Sequence, residues 1–124
     1  MVLTTLLKSD LFKRIRFPVG RKSEDWFIMY KLFDFSRGIV FSQKRYYHYR
    51  QRIGSITTSV NMDIIDAALG VEKFIKRRHP EMILKAYAST VIAVIYAYDQ
   101  ILLSGGYSKL RREVLKCRKI LADR

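Results

Sequence analysis

The stretch PEMILKAYASTVIAVIYAYDQILLSGG, residues 80–106, is the most informative part of the sequence about the fold. Apolar residues would lie on nearly every side of a helix over 81–103, which is typical of a helix buried in a protein core. Pro80 and Gly105-Gly106 mark its two ends. The uncharged run Ala86–Tyr98 is shorter than the roughly 20 residues that a membrane-spanning helix needs. The pattern therefore predicts a core helix.

Two further helices are predicted beside it. Asn61 can cap a helix over 62–78, and its apolar stripe consists of Ile64, Ala68, Val71 and Ile75. A last helix over 107–122 has the stripe Tyr107, Leu110, Val114, Cys117 and Leu121, and its other faces are rich in Lys and Arg. Residues 60–124 are therefore predicted to form a three-helix segment, whose stripes must pack on one another or on the first half of the chain.

Residues 1–59 differ from the helical half in being rich in aromatic residues and interrupted by proline and glycine. A short helix is predicted over 9–16, and Ser23 can cap a helix over 24–36. Gly38–Ser42 is predicted to be a short buried strand, and Arg45–Arg52 to be extended. The predicted fold is mostly α with a small β element.

The charge balance is strongly basic, with a formal net charge of +13 over 124 residues. Residues 1–60 contain 12 Lys and Arg against 4 Asp and Glu, and residues 61–124 contain 12 against 7, so the excess is not confined to a tail. Such a chain favours polyanions: nucleic acid, anionic lipid headgroups or a diphosphate-bearing substrate. The single Cys117 fits a reducing compartment, and Lys8 and Asp10 interrupt the apolar opening that a secretory signal would need.

Two segments could carry chemistry. The first is Arg16-Phe-Pro-Val-Gly20, followed by Ser23 and the acidic pair Glu24-Asp25. An acidic pair in a first helical turn is often there to complement the helix dipole. The second segment is Tyr46–Ile56, in which alternation places His48 and two arginines on one face of an extended chain. A charged edge strand that resists aggregation would have the same pattern.

Taken together and in this order, the segments resemble the non-processive family 2 glycosyltransferases of bacteria, which build capsular, exopolysaccharide and lipopolysaccharide chains. Members of that family have an Arg-Phe-Pro-x-Gly turn, a Glu-Asp pair that opens a helix, a strand, and an aromatic-Tyr-Tyr-Arg-x-Arg-x-x-Ser-Ile segment. The counterparts here are Arg16–Gly20, Glu24-Asp25, Gly38–Phe41 and Tyr46–Ile56, preceded by Leu11–Ile15. The resemblance covers about residues 6–58.

The resemblance implies roles for five residues. Asp25 matches the general base that takes the proton of the acceptor hydroxyl during inverting transfer, and Glu24 would orient the acceptor. Arg50 and Arg52 would contact the diphosphate of the departing nucleotide, and His48 would join them. These roles agree with the chemistry of sugar transfer, which needs a base for the acceptor hydroxyl and cations for the departing diphosphate.

The resemblance also implies what this sequence lacks. In the family, a GT-A type α/β fold holds the nucleotide-sugar and a divalent metal (Mg or Mn) with an Asp-x-Asp pair, and no such pair occurs here. Residues 1–59 would be the acceptor-side portion of a GT-A domain, and residues 60–124 its C-terminal helical segment. The expected enzyme is a partial glycosyltransferase that is inactive as this chain alone.

Expected partners follow from the same reasoning. They are a nucleotide-sugar, a saccharide or lipid-linked acceptor, and either a second copy or another chain covering the face left open. The expected location is the cytoplasm, with peripheral contact at the inner face of the membrane through the basic last helix. Two other interpretations stay open: a small basic nucleic-acid-binding module with stacking tyrosines, and a helical protein that only binds a partner.

Overall fold

The structure is a computed structural model that describes residues 5–44, 46–48, 50, 60–105 and 111–123, and this part of the chain is mostly helical. Within these described ranges, four α-helices follow one another: α1 (Met29–Phe35), α2 (Asp63–Arg78), α3 (Ile83–Leu103) and α4 (Arg111–Ala122). Single 3₁₀ turns precede several of them, at Ser9–Lys13, Glu24–Phe27 and Pro80–Met82. The predicted mostly α class is confirmed.

Helices α2 and α3 form an antiparallel pair. The turn Pro80–Met82 between them is short, so the chain reverses direction directly after α2. The start of α2 packs on the later part of α3, where Ile65 meets Ala93, Val94 and Ala97 in one buried cluster. Alanines at this contact let the two backbones approach closely. Cys117 of α4 completes the same cluster. The core therefore lies among the three helices that the sequence predicted.

A second, smaller cluster holds the first half of the chain together. Ile15, Ile28, Met29 and Leu32 are buried in it, and Leu7, Leu11, Phe12 and Phe27 pack around them. The spacing of Trp26, Met29, Tyr30 and Phe33 predicts that they share one apolar face of a helix. This prediction is partly wrong: Met29 is buried, but Trp26 and Phe33 are each 44% exposed. The buried face is instead centred on Ile28 and Leu32.

The segment from residue 21 to residue 35 runs parallel to α2 along its length. Near the start of α2, the Nδ2 group of Asn61 donates to Oγ of Ser23 at 2.8 Å. In the middle, the rings of Tyr30 and Phe74 meet edge to face with centroids 5.0 Å apart. At the far end, Asp34 contacts His79. The two halves of the sequence are thus joined along the whole of α2.

The helix predicted over 24–36 is interrupted. Glu24–Phe27 form a 3₁₀ turn, Ile28 leaves the helical region with φ −128°, and α1 begins only at Met29. Ser23 does not cap the turn as predicted, because it has a left-handed backbone (φ 53°) and makes no side-chain capping bond. Asn61 does satisfy a backbone N–H group at the start of α2, since its Oδ1 accepts a hydrogen bond from the N–H of Asp63 at 3.1 Å.

The predicted strand Gly38–Ser42 is wrong. No strand occurs among the residues that the structure describes, and Val40 and Phe41 are 95% and 93% exposed. An extended segment becomes a strand only when a neighbour satisfies its N–H and C=O groups, and none does so here. Of the extended segment predicted over 45–52, only residues 46–48 and 50 are described, and none of them is in a strand. The predicted loop 53–59 and the start of the last helix, 107–110, lie outside the described residues.

Helix α3 is buried on one face and exposed on the other. Its buried face comprises Ala86, Thr90, Ala93, Val94, Ala97 and Ile101. Together with the preceding turn it spans 24 residues, Pro80–Leu103, with a mean hydropathy of 1.4 in its most apolar window. By length and composition alone this is enough to cross a membrane, a property that core helices share. The prediction of burial on all sides therefore holds for one face only.

Candidate functional site

The acidic pair Glu24-Asp25 lies on the 3₁₀ turn that follows the left-handed Ser23. Glu24 is exposed and Asp25 is half-buried. Oδ1 of Asp25 accepts a hydrogen bond from the backbone N–H of Trp26 at 3.1 Å. The two carboxylates therefore project from one short, sharply turned piece of backbone.

The backbone just before the pair is fastened to the start of α2 by Asp63. Oδ1 of Asp63 accepts from the guanidinium of Arg21 at 2.7 Å, and Oδ2 accepts from the backbone N–H of Lys22 at 2.8 Å. Bidentate use of one carboxylate fixes both the position and the direction of the chain entering the turn. Asp63 thus acts as a positioning residue for Glu24-Asp25.

The same contact extends to α4. Asp66, one helical turn after Asp63, pairs with Arg21 at 3.2 Å and with Nζ of Lys116 at 2.7 Å. We call Arg21, Asp63, Asp66 and Lys116 the charge cluster. Its side chains are between 22% and 45% exposed, so each ion pair by itself contributes modestly to stability. The cluster nevertheless joins the first half of the chain, α2 and α4 at one place.

Contacts within and beside the charge cluster shift the pKa values of two of its members, Asp63 and Arg21. Partial burial acts to raise the pKa of Asp63, but the hydrogen bonds from Lys22 and Arg21 outweigh it, so this pKa lies below its ordinary value. The hydrogen bond to Asp63 in turn raises the pKa of Arg21. Both groups are therefore charged at neutral pH, and Asp63 is poorly suited to act as an acid or a base.

A second polar contact fastens the other end of α1. Asp34 accepts from Nε2 of His79 at 2.6 Å and from the guanidinium of Arg78 at 3.0 Å. The bond to His79 is the main cause that lowers the pKa of Asp34; desolvation opposes it, and the bond to Arg78 supports it. Asp34 therefore stays ionised and joins the end of α1 to the end of α2.

The aromatic side chains beside the acidic pair differ in exposure. The guanidinium carbon of Arg21 lies 5.7 Å from the ring centroid of Phe27, so this arginine is held by a ring as well as by carboxylates. Trp26, next to Asp25, is 44% exposed. A half-exposed indole beside a carboxylate offers a flat apolar surface of the kind on which a sugar ring can lie.

The predicted basic side of the site is only partly described. His48 and Arg50 are both exposed and lie in irregular backbone. Arg52 and Tyr49 lie outside the described residues. The predicted convergence of Asp25 with Arg50 and Arg52 on one cleft therefore stays a prediction.

A shallow hollow of about 180 Å³ lies elsewhere, between the Ser9–Lys13 turn and the end of α1. It is lined by Asp10, Leu11, Lys13, Arg14, Ile15 and Phe35, and includes none of the five predicted site residues. Within the described ranges, no group of three or more His, Cys, Asp or Glu side chains is arranged to hold a metal ion.

Sequence reasoning did not find the charge cluster. The only local signal was the pair Asp63 and Asp66, spaced to lie on one side of the first turn of α2. That spacing is equally typical of acids that complement the helix dipole. Arg21 lies 42 residues before Asp63, and nothing local in the sequence links the two.

Compared with known proteins, the chain matches no family model, no curated protein and no solved structure. The site must therefore be interpreted from its own residues and from the resemblance of their order to a known family.

Proposed function

We propose that this chain is the acceptor-side part of a bacterial family 2 glycosyltransferase of the GT-A type. The observation that carries the proposal is the ordered run of four matching segments, Arg16–Gly20, Glu24-Asp25, Gly38–Phe41 and Tyr46–Ile56. Each segment alone is common, but their order and separation are specific.

The anchoring of the acidic pair supports the proposal. A general base must be held in place, because misplacement by about 1 Å can lower a rate by roughly 100-fold. Asp63 fixes the backbone one residue before Ser23, and Asn61 fixes Ser23 itself. The backbone that carries the acidic pair is therefore held in place on both sides of Lys22-Ser23, as a general base requires.

In the proposed reaction, an acceptor hydroxyl oxygen attacks the anomeric carbon of the nucleotide-sugar from the side opposite the nucleotide. The bond from that carbon to the diphosphate oxygen breaks, and configuration inverts. Asp25 takes the hydroxyl proton late in the step, since a carboxylate is a weak base for an alcohol. Arg50 and Arg52 stabilise the negative charge on the departing diphosphate, and Glu24 and His48 position the reactants.

The donor side of the proposed enzyme would lie on residues outside these 124. The nucleotide-sugar and a divalent metal ion, Mg or Mn, would be bound there. Exposed apolar residues support this arrangement: Ile39, Val40 and Phe41 are 54%, 95% and 93% exposed, although their sequence is typical of a buried strand. A surface belonging to the donor side would cover them. The chain alone is then inactive.

The test is a hybrid enzyme. Residues 6–124 are joined to the nucleotide-binding half of a family 2 glycosyltransferase in place of that enzyme's own acceptor side, and consumption of its nucleotide-sugar is measured with a panel of saccharide and lipid-linked acceptors. Asp25→Asn should lower transfer by roughly 100-fold or more without changing the unfolding temperature. Asp10→Asn is the matched control, because Asp10 is 77% exposed and pairs only with its neighbour Lys13 among the contacts described.

Undiminished transfer by the Asp25→Asn hybrid would refute the assignment of the base. A hybrid that folds but transfers no sugar to any acceptor, combined with tight, salt-sensitive binding of the 124-residue chain to single-stranded DNA or RNA, would favour the nucleic-acid-binding interpretation instead.

A further inference from the structure

Helix α3 presents an outward face that the rest of the described chain leaves uncovered. We define the outward face by its six large exposed side chains, Leu84, Ile92, Ile95, Tyr96, Leu102 and Leu103. Leu84 and Leu103 are 77% and 83% exposed, and Ile92 at the middle is 66% exposed. Large apolar side chains gathered on one surface usually mark an interaction site.

The outward face is a continuous stripe. Its positions are related by separations of three, four, seven and eight residues, so they lie along one side of the helix, opposite the buried residues of α3. The run Ala88, Ile92, Ile95, Asp99, Leu102 alternates steps of four and three. This is the spacing with which one helix packs lengthwise on another.

The only two charged residues of α3 lie on this same face. Lys85 is seven positions before Ile92 and Asp99 is seven positions after it, so each is two helical turns from the centre. Both are exposed, and neither takes part in an ion pair within the described part of the chain. The face thus carries opposite charges placed symmetrically about its middle.

We propose that the outward face binds a second copy of this chain, α3 against α3 in antiparallel orientation, with the two-fold axis passing beside Ile92. In a two-fold interface, if one residue meets another, the reverse contact also forms. Lys85 of each copy would then lie opposite Asp99 of the other, giving two equivalent ion pairs. Ile92 would meet its own counterpart at the axis. This inference does not depend on the proposed function.

The size of the face fits this occupant. Its six side chains are between 45% and 83% exposed and are spread over the length of α3, Ile83–Leu103. A lengthwise helix-on-helix contact of this extent is the kind that contributes to a standard interface, in which each partner buries roughly 800 Å².

The charge pattern favours a second copy over a lipid surface. Anionic headgroups would attract Lys85, but they gain nothing from a carboxylate within the apolar stripe. Asp99 is costly to bring into an acyl environment and useful opposite a lysine. Long-range repulsion between two copies of charge +13 is screened within about 8 Å at physiological salt.

The test is sedimentation equilibrium of the 124-residue chain and its charge-reversal variants. The wild type should dimerise reversibly. Lys85→Asp and Asp99→Lys should each weaken dimerisation by roughly tenfold or more, because each turns both ion pairs into like-charge contacts. An equimolar mixture of the two single variants should form heterodimers, since every contact then becomes opposite in sign. The double variant should recover the wild-type affinity.

Circular dichroism checks that each variant keeps its helical content, which both exposed positions should allow. A wild type that stays monomeric at high concentration, or a mixture that associates no better than the single variants, would overturn the proposal. Vesicles of phosphatidylglycerol provide the alternative outcome: binding of a monomer to them that Ile92→Glu abolishes would assign the face to lipid.

Discussion

Asp63 shows how one side chain can set the position of a candidate site, Glu24-Asp25, through contacts with the residues just before it. It binds Arg21 and the N–H of Lys22, and it lies on the most regular element nearby, α2. The irregular backbone that leads to Glu24-Asp25 therefore takes its position from a helix. Asp66 adds a bond to Lys116 and brings α4 into the same contact.

Loss of this contact should be measurable as lower stability and altered acid sensitivity. Asp63→Asn should lower the free energy of unfolding by about 1 kcal/mol at pH 7, because a charge-assisted pair becomes a neutral one. The native pKa of Asp63 is depressed, so its contribution is present above its ordinary pKa, near 4, and is lost as the pH falls through the lower native value.

Thermal unfolding between pH 7 and pH 2.5 tests this expectation. The wild type should lose more stability on acidification than Asp63→Asn, and the two curves should converge at the acid end. Asp10→Asn, at a largely exposed i,i+3 pair, should follow the wild type at pH 7. Parallel curves for the wild type and Asp63→Asn would show that the Asp63 contacts do not stabilise the native state.

Among the elements, α2 contains a glycine in its interior and α3 is followed by one, and the two glycines differ in backbone conformation. Gly70 lies inside α2, where a methyl group would meet only the hydroxyl oxygen of Tyr30, at an ordinary contact distance of 3.6 Å. Gly105 follows the end of α3 with φ +62°, and its N–H donates to the carbonyl of Leu102. It ends α3 in the left-handed conformation that favours glycine.

The same substitution should therefore have opposite effects at the two positions. Gly70→Ala should raise the free energy of unfolding by roughly 0.5–1 kcal/mol, because alanine is the better helix former and there is space for it. Gly105→Ala should lower it by roughly 1 kcal/mol, because a side chain is strained at this φ. Urea unfolding measures both; a destabilising Gly70→Ala would mean that Tyr30 cannot accommodate the methyl group.

At the level of the whole molecule, stability depends on the cluster where α2, α3 and α4 meet. Cys117 is completely buried in this cluster beside Val94 and Ala97. Burial is the main cause that raises the pKa of its thiol, against the opposing influence of Lys116. A buried thiol with a raised pKa reacts slowly, because the thiolate is the nucleophile.

Thiol labelling should consequently report on the opening of the helical core. In the native protein, Cys117 should react with an aromatic disulfide reagent far more slowly than a free thiol does at the same pH. In urea, Cys117 should react at the rate expected for an unfolded chain. Gly70→Ala should slow native labelling and Asp63→Asn should accelerate it if α4 is released by global unfolding. Labelling that is fast and indifferent to both variants would show that α4 detaches independently.

The sequence alone determined the helical half of the molecule. Long periodic stripes bounded by Asn61, Pro80 and Gly105 predict α2 and α3 nearly to the residue, because helical hydrogen bonds are local and the stripe repeats many times. The order of the motifs also indicated the five candidate site residues, through the resemblance to a known family. That these residues meet at one site is still a prediction.

Only the tertiary structure decided how the first half is held. The interruption at Ile28, the left-handed Ser23 and the pairing of Arg21 with Asp63 depend on contacts across about 40 residues of sequence, which no local pattern encodes. Gly38–Ser42 has the composition of a strand, yet a strand requires a neighbour, and the described chain supplies none. The sequence also could not show that one side of α3 is exposed, because the same apolar residues occur there whether or not another surface covers them.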